Sequence, residues 1–462
     1  MNRIMGALIG VGVLGGCSLA PPYERPEAPV AAAYPADSAG KGARAASEIA
    51  WREFFPDERL QALIKVALDN NRDLRTAALR IEEARALYNI QSADLLPNLN
   101  AGFSGSRVRT PASLSLTGHE VVSSSYQVGL SLASFELDFL GRVRSLNDAA
   151  LNLYLASDEA RQAAQISLIA EVAKAALAER AFAEQQELAQ QTLSGREASY
   201  KLAKQRFDVG ASSALDLRLS ETLVLAARVA LVTLTRQRAQ AMNGLTLLTG
   251  KPLTDLPTVQ PLSAQMIVAE LPAGLPSELL TRRPDIRSAE LRLKAANANI
   301  GAARAAFFPR VSLTAGLGTA SNALSDLFEP GSRTWSFAPQ LLVPIFDAGR
   351  NSGNLTLAEV RKNLAIADYE KAIQTAFREV ADALVARASL DQQIEAQRAT
   401  LDAQADRLRL ADLRYQNGIS SFLDVLDAQR ELFAAEQALV QARLLRLTNA
   451  IDLYRSLGGG WS

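Results

Sequence analysis

Few residues in this chain can make or break bonds. Among 462 residues there is one histidine, His119, and one cysteine, Cys17. A side-chain nucleophile needs a base within reach, and a zinc-type metal needs about four ligands. No GxSxG elbow occurs. Neither hydrolytic nor metal chemistry is expected, and no catalytic or metal-ligating residue is assigned. Gly10, Gly12 and Gly15 match the dinucleotide-binding glycine pattern, but they lie in an apolar N-terminal run with no strand before them and no capped helix after them. What the spacing does offer is ionic. Leu423, Asp427 and Arg430 are separated by four and three residues and share one helix face. Such an acid and base either form an ordinary solvent-facing pair or, repeated by symmetry, make rings that act on ions.

The chemistry open to Cys17 is set by what precedes it. Arg3 is followed by an apolar run over residues 4–14, and Leu14, Gly15, Gly16 and Cys17 resemble a bacterial lipoprotein lipobox. Residues 1–16 read as a signal peptide and Cys17 as the acylated first residue of the mature chain. A covalent lipid at Cys17 is expected, and no other cofactor. Ser18, where an aspartate would retain the lipoprotein at the inner membrane, favours the outer membrane. With one cysteine no internal disulfide can form. Residues 17–50 carry Pro21, Pro22, Pro26, Pro29 and Pro35 without hydrophobic periodicity and read as an extended, lipidated tether. Lys+Arg and Asp+Glu both number 49, so the formal net charge is +0 and no nucleic-acid partner is indicated.

The elements that must position these residues are written twice. Arg206, Phe207, Asp208, Val209, Gly210, Ala211, Ser212, Ser213, Ala214, Leu215 and Asp216 match RYQNGISSFLD from Arg414 to Asp424, position for position. Each passage reads as a helix end, a glycine suited to left-handed backbone, and a new helix capped by Ser213 or Ser421, with Asp216 or Asp424 three residues on. Asp73 corresponds to Asp285, Pro97 to Pro309 and Asp138 to Asp347, at a period of roughly 210 residues, too long for a solenoid. The first repeat is placed at 51–248, a Pro-rich connector at 249–277, the second repeat at 278–457 and a tail at 458–462.

Within each repeat, helical periodicity is followed by period-two alternation. A helix is expected from about Asp57 to Leu96, ended by Pro97. Strands are expected near 98–109, 122–139, 310–320 and 333–346, apolar on one face and small or polar on the other, as in membrane barrel strands. Proline-free helices over about 143–206 and 351–414 would each be on the order of 95 Å long. Return helices carry a coiled-coil stripe at Leu426, Phe433, Val440 and Leu447. No mature segment is long and apolar enough for a transmembrane helix. The smallest single-chain membrane barrels have about eight strands, so four need other copies to close. The fold class is thus mainly α with a membrane β-barrel, built by a duplicated unit of long helical hairpin plus two strands.

At this point a resemblance becomes specific. Cys17, then Pro21, Pro22, Tyr23, Glu24, Arg25 and Pro26, Trp51 with Phe54 and Phe55, the run from Asn70 to Arg75, that from Arg282 to Arg287, and RYQNGISSFLDVLDAQR from Arg414 resemble the outer-membrane efflux protein (TolC/OprM) family, in its lipoprotein branch. The resemblance implies a homotrimer whose strands form one barrel continued by a periplasmic α-barrel. It implies a passive, gated exit duct for drugs or other small molecules. The implied partners are a periplasmic adaptor protein, an inner-membrane efflux transporter and outer-membrane lipid. It places a closed periplasmic gate at Arg414, Tyr415, Leu423, Asp424, Asp427 and Arg430. Adaptor docking falls on the tips, at Val209, Gly210, Ala211 and Ser212 and at Asn417, Gly418, Ile419 and Ser420. For Asp424, helix capping is as good a reading as gating. A structural or adhesive periplasmic coiled-coil lipoprotein is the alternative, and it leaves the four duplicated strands unexplained.

Overall fold

The computed structural model describes residues 18–34, 44–116, 118–253, 257, 260–264, 267, 271 and 276–460. The signal peptide and the acylation site at Cys17 lie outside the described residues, as does much of the connector. The chain divides into two compact units, one of Met1–Glu27, Arg80–Ser157 and Ser288–Tyr369, the other of Ala28–Leu79, Asp158–Arg287 and Glu370–Ser462.

In chain order the elements are α1 (Trp51–Phe54), α2 (Glu58–Asn70), α3 (Arg72–Ala93), β1 (Leu99–Thr110), β2 (Val121–Leu137), α4 (Arg142–Asp208) and α5 (Ala214–Thr249). They continue as α6 (Leu279–Arg282), α7 (Pro284–Ala305), β3 (Arg310–Ser321), β4 (Arg333–Leu342), α8 (Arg350–Gln416) and α9 (Phe422–Ser456). The helix expected from Asp57 to Leu96 is broken at Asn71. Its backbone is extended there (φ −62°, ψ 134°), and its side chain accepts from the Leu74 amide at 2.9 Å, capping a new helix. Hydrophobic periodicity runs through such a break and does not report it.

The first unit holds one antiparallel sheet in the order β1-β2-β3-β4. Directly paired residues share a face, so its rows can be read across. Ala101, Leu130, Leu317 and Trp335 form an apolar row, and Leu99, Leu132, Ala315 and Phe337 another. The alternate rows are small and polar, such as Asn100, Ser131, Gly316 and Ser336. Leu317, Trp335, Phe337 and Leu341 are exposed by 62–77% although they lie on the apolar face. The outer edges of β1 and β4 are unpaired among the described residues. At the β2–β3 seam Gly129 pairs with Gly318, and a Cβ on Gly129 would lie 2.5 Å from the Leu317 carbonyl oxygen, so no larger residue fits.

Both strand-to-helix joints use an aspartate. Asp138 accepts from the Arg144 amide at 2.9 Å, and Asp347 accepts from the Gly349 and Asn351 amides at 3.0 and 2.9 Å, which starts α4 at Arg142 and α8 at Arg350, after strands that end at Leu137 and Leu342. Residues 18–27 form neither helix nor strand, yet they are not free. Tyr23 donates to Glu290 on α7 at 3.1 Å, Arg25 donates to both Glu290 oxygens at 2.9–3.1 Å, and Lys294 lies 3.3 Å away. Asn297 donates to the Pro21 carbonyl at 2.7 Å. Burial alone would raise the Glu290 pKa, but the Arg25 hydrogen bonds and the Lys294 and Arg25 charges outweigh it and hold the carboxyl below its usual range.

The second unit contains the roots of both helical hairpins. Asn71 donates to the Leu248 carbonyl at the end of α5 (2.8 Å), and Arg283 donates to the Ser456 carbonyl at the end of α9 (3.1 Å). Gly250 and Gly458, at φ +72° and +81°, let the chain leave each helix directly against the carbonyls of Asn70 and Arg282. Arg283 also donates to Asp285 (2.6 Å) and Glu379 (2.8 Å), so the second root is ionic where the first is neutral. Around them Trp51, Phe54 and Phe55 are buried, Phe54 stacks on Tyr454 at 3.8 Å, and the Tyr454 hydroxyl donates to the Ile49 carbonyl at 2.5 Å. Described parts of the connector reach the helices here: the Leu262 amide donates to Glu184 at 2.7 Å and Arg59 to the Pro257 carbonyl at 3.0 Å.

Gly458→Ala is expected to lower stability by more than about 1 kcal/mol, since a Cβ there meets both left-handed backbone and a carbonyl. Gly210→Ala, in open space at similar φ, should cost only the backbone strain; thermal melting of the two variants compares them. Because the Glu290 pKa is depressed on folding, the stabilisation from docking residues 20–26 on Glu290 is present above the unfolded carboxyl pKa of about 4.3 and is lost progressively as pH falls from there through the lower folded-state pKa. Proteolysis within residues 20–26 should therefore accelerate below that pH in the wild type, and at neutral pH in Glu290→Gln.

Candidate functional site

The two hairpin tips are built alike. In the first, the Gly210 amide donates to the Phe207 carbonyl (2.9 Å) and the Ala211 amide to the Arg206 carbonyl (2.7 Å). In the second, Gly418 donates to Tyr415 (3.0 Å) and Ile419 to Arg414 (2.8 Å). With Gly210 at φ +71° and Gly418 at +70°, both are Schellman turns that satisfy the last helical carbonyls. Val209, Gly210 and Ala211 are exposed, as are Asn417, Gly418 and Ile419, while Ser212 and Ser420 are half-buried. A Cβ on either glycine would meet nothing within 4 Å. Thus the expected docking residues form two open, solvent-facing loops.

The helix starts after the tips are not alike. Ser213 accepts from the Asp216 amide at 3.1 Å and Asp216 accepts from the Ser213 amide at 3.3 Å, a complete capping box. Ser421 has nearly the same backbone, φ −75° and ψ 157° against −81° and 155°, but its side chain makes no capping bond. This corrects the expectation that Ser421 caps as Ser213 does. The backbone permits the cap; only the side-chain arrangement differs. Asp424 is therefore not held in a capping box, and it is exposed without a side-chain partner among the described residues.

The remaining gate candidates fall into two groups. Tyr415 faces the other hairpin: Arg206 donates to its hydroxyl, the guanidinium lies 5.4 Å from the ring centroid, and Phe422 packs at 5.0 Å. Asp427 is bonded within its own hairpin. Arg430 donates to Oδ1 at 2.5 Å and Arg407, on α8, donates to Oδ2. Leu423 is 53% exposed, and Arg414 is exposed without a side-chain partner among the described residues. Arg206 and Arg407 were not singled out from the sequence. Signals existed, because Arg206 occupies the position of Arg414 in the duplicated passage and Arg407 precedes Arg414 by seven residues, on the same helix face. His119 is an exposed loop residue, and among the described residues no group of three His, Cys, Asp or Glu side chains could hold a metal.

A sheet whose apolar face is uncovered and whose two edges are unpaired among the described residues, joined to two 67-residue helices with ionic groups near their tips, defines a protomer of an outer-membrane channel. Comparison with known proteins carries this further. The family model described as outer membrane efflux protein matches residues 63–251 and 275–459, one segment for each repeat. The toluene efflux pump outer membrane protein TtgC of Pseudomonas putida is 49% identical over 100% of this chain and 96% of its own length. Outer membrane protein OprJ of Pseudomonas aeruginosa is 49% identical over 99% of this chain and 96% of its own. The open-state crystal structure of the Neisseria gonorrhoeae MtrE outer membrane channel covers 96% of this chain and 99% of its own, at 45% identity and a TM-score of 0.88. The chain belongs to the outer membrane efflux protein family, as an outer-membrane channel component of an efflux pump.

Ser213→Ala is expected to cost about 1 kcal/mol, the worth of a formed cap, and Ser421→Ala close to nothing. Urea unfolding of the two variants against wild type tests this difference between otherwise matched tips.

Proposed function

We propose that three copies of this chain form a passive, gated exit duct that carries small molecules from the periplasm and an inner-membrane transporter to the exterior, with no catalytic step. The observation that carries this reading is the sheet. Its apolar face needs lipid, and its two open edges need strands from other copies. Three copies of four strands give twelve, within the range of closed membrane barrels of about eight strands and above. A relative named for toluene efflux supports small, apolar cargo, and a relative captured in an open state supports an aperture that opens and closes.

In this reading the loops at Gly210 and Gly418 receive a periplasmic adaptor, and an acyl group on Cys17 adds a lipid anchor to the strands. Leu423, Asp424, Asp427 and Arg430, with Arg414 and Tyr415, form the periplasmic aperture. The Arg206–Tyr415 contact ties one hairpin to the other within a protomer.

The test is single-channel conductance in planar bilayers with oligomer mass measured on the same preparation. Wild type should be a trimer of low conductance, and Asp427→Ala, which frees both arginines, should conduct several-fold more. Inserted, well-folded trimers that never conduct in either form would return the protein to the structural lipoprotein reading.

A further inference from the structure

Asp427 is the acid that the aperture reading would present to passing ions, yet the structure surrounds it with arginine. Arg430 occupies Oδ1 and Arg407 occupies Oδ2. Arg430 is in turn shared with Glu431 at 3.1 Å, so two guanidiniums face two carboxylates and the constellation sums to zero. A ring of such groups is not a bare acidic ring. The two arginines also differ in how they are attached. Arg430 reaches Asp427 from three residues along the same helix and travels with it. Arg407 comes from α8, the other helix of the hairpin, so any relative displacement of α8 and α9 uncovers one carboxylate oxygen.

We propose that Arg407 is a specificity-determining residue: it masks the Asp427 ring and thereby sets the cation preference of the aperture. The proposal rests on the gate reading above. Both side chains stay accessible, Arg407 at 46% and Asp427 at 33%, so the pair competes with water and salt and a mobile cation can replace the arginine. Among the described residues the other side-chain partner of Arg407 is Gln404, at 3.4 Å on its own helix, so removing Arg407 leaves no other inter-helix side-chain bond broken.

The experiment measures reversal potential across a KCl gradient, and block by Mg²⁺ added on the tip side, for wild type, Arg407→Gln, Arg407→Lys, Asp427→Asn and the Gln/Asn double variant. Arg407→Gln should raise the cation-to-anion permeability ratio about threefold or more and lower the blocking Mg²⁺ concentration about tenfold, as expected for an unmasked carboxylate at a constriction. Arg407→Lys should stay near wild type, and the double variant should behave as Asp427→Asn alone. If Asp427→Asn shifts selectivity and Arg407→Gln does not, the masking role is wrong while the gate stands. An effect of Arg407→Gln that survives in the double variant also overturns it, because the residue then acts elsewhere. If Asp427→Asn changes neither quantity, the ring is not in the ion path and the gate reading fails with the proposal. Arg407→Met, similar in length, replaces the glutamine variant should that fail to assemble.

Discussion

Lipid offers no hydrogen-bond partner, and that constraint organises this protein. Every amide and carbonyl of a strand that enters the membrane must be paired by protein. β2 and β3 are paired on both sides within one chain, while β1 and β4 are paired on one side only among the described residues. The remaining edges have to be met by other copies, the β1 edge of one against the β4 edge of the next, which makes assembly a condition of insertion. The same constraint explains the glycines at the β2–β3 seam. A closing sheet must curl toward its polar face, and Gly129 and Gly318 keep that seam free of side chains where the backbones approach. The aspartates at 138 and 347 then end the membrane segment sharply by starting a helix within a few residues, so backbone pairing passes from between strands to within a helix with little unpaired chain.

Duplication supplies the second level of organisation, and the two copies depart from it at their roots and at their tips. The two roots solve one problem, holding the last carbonyls of a return helix, by different means. Asn71 does it with a neutral amide, and Arg283 with a buried guanidinium that also engages Asp285 and Glu379. A buried cation with three acceptors is costly to disturb, since removing any one of them leaves a buried guanidinium N–H without its hydrogen bond. The second hairpin is therefore held rigidly at its root by interactions the first hairpin lacks. The tips invert this pattern, with a completed capping box in the first and an unmade one in the second.

Much of this was legible in the sequence because it depends on local signals. Two-residue alternation marked four strands whose observed spans are 99–110, 121–137, 310–321 and 333–342, and proline-free periodicity marked the long helices. The turns at Gly210 and Gly418 followed from glycine and capping chemistry. What escaped was non-local or concerned a side-chain choice. The docking of Arg25 on Glu290 joins residues 265 apart in sequence, and nothing in a proline-rich stretch announces its partner. Asn71 breaks a helix without interrupting its apolar pattern. Arg407 was invisible as a partner of Asp427 because it lies across the hairpin, and the i, i+3 pair of Asp427 with Arg430 already looked complete.

Under the gate proposed above, the asymmetry between tips is what a moving hairpin would need. A helix start locked by its own side chains, as at Ser213 and Asp216, is indifferent to its neighbours. At the second tip the Asp424 and Arg414 side chains have no partner among the described residues, while Tyr415 and Asp427 are bonded through arginines on other helices. Exposed pairs of this kind are each weak, so exchanging them for water or for another protein's groups costs little. Strength is concentrated at the root, where Arg283 is buried, and weakness at the tip, where both side chains of the Arg407–Asp427 pair stay accessible to water. A hairpin built this way can change its contacts at one end without unfolding at the other.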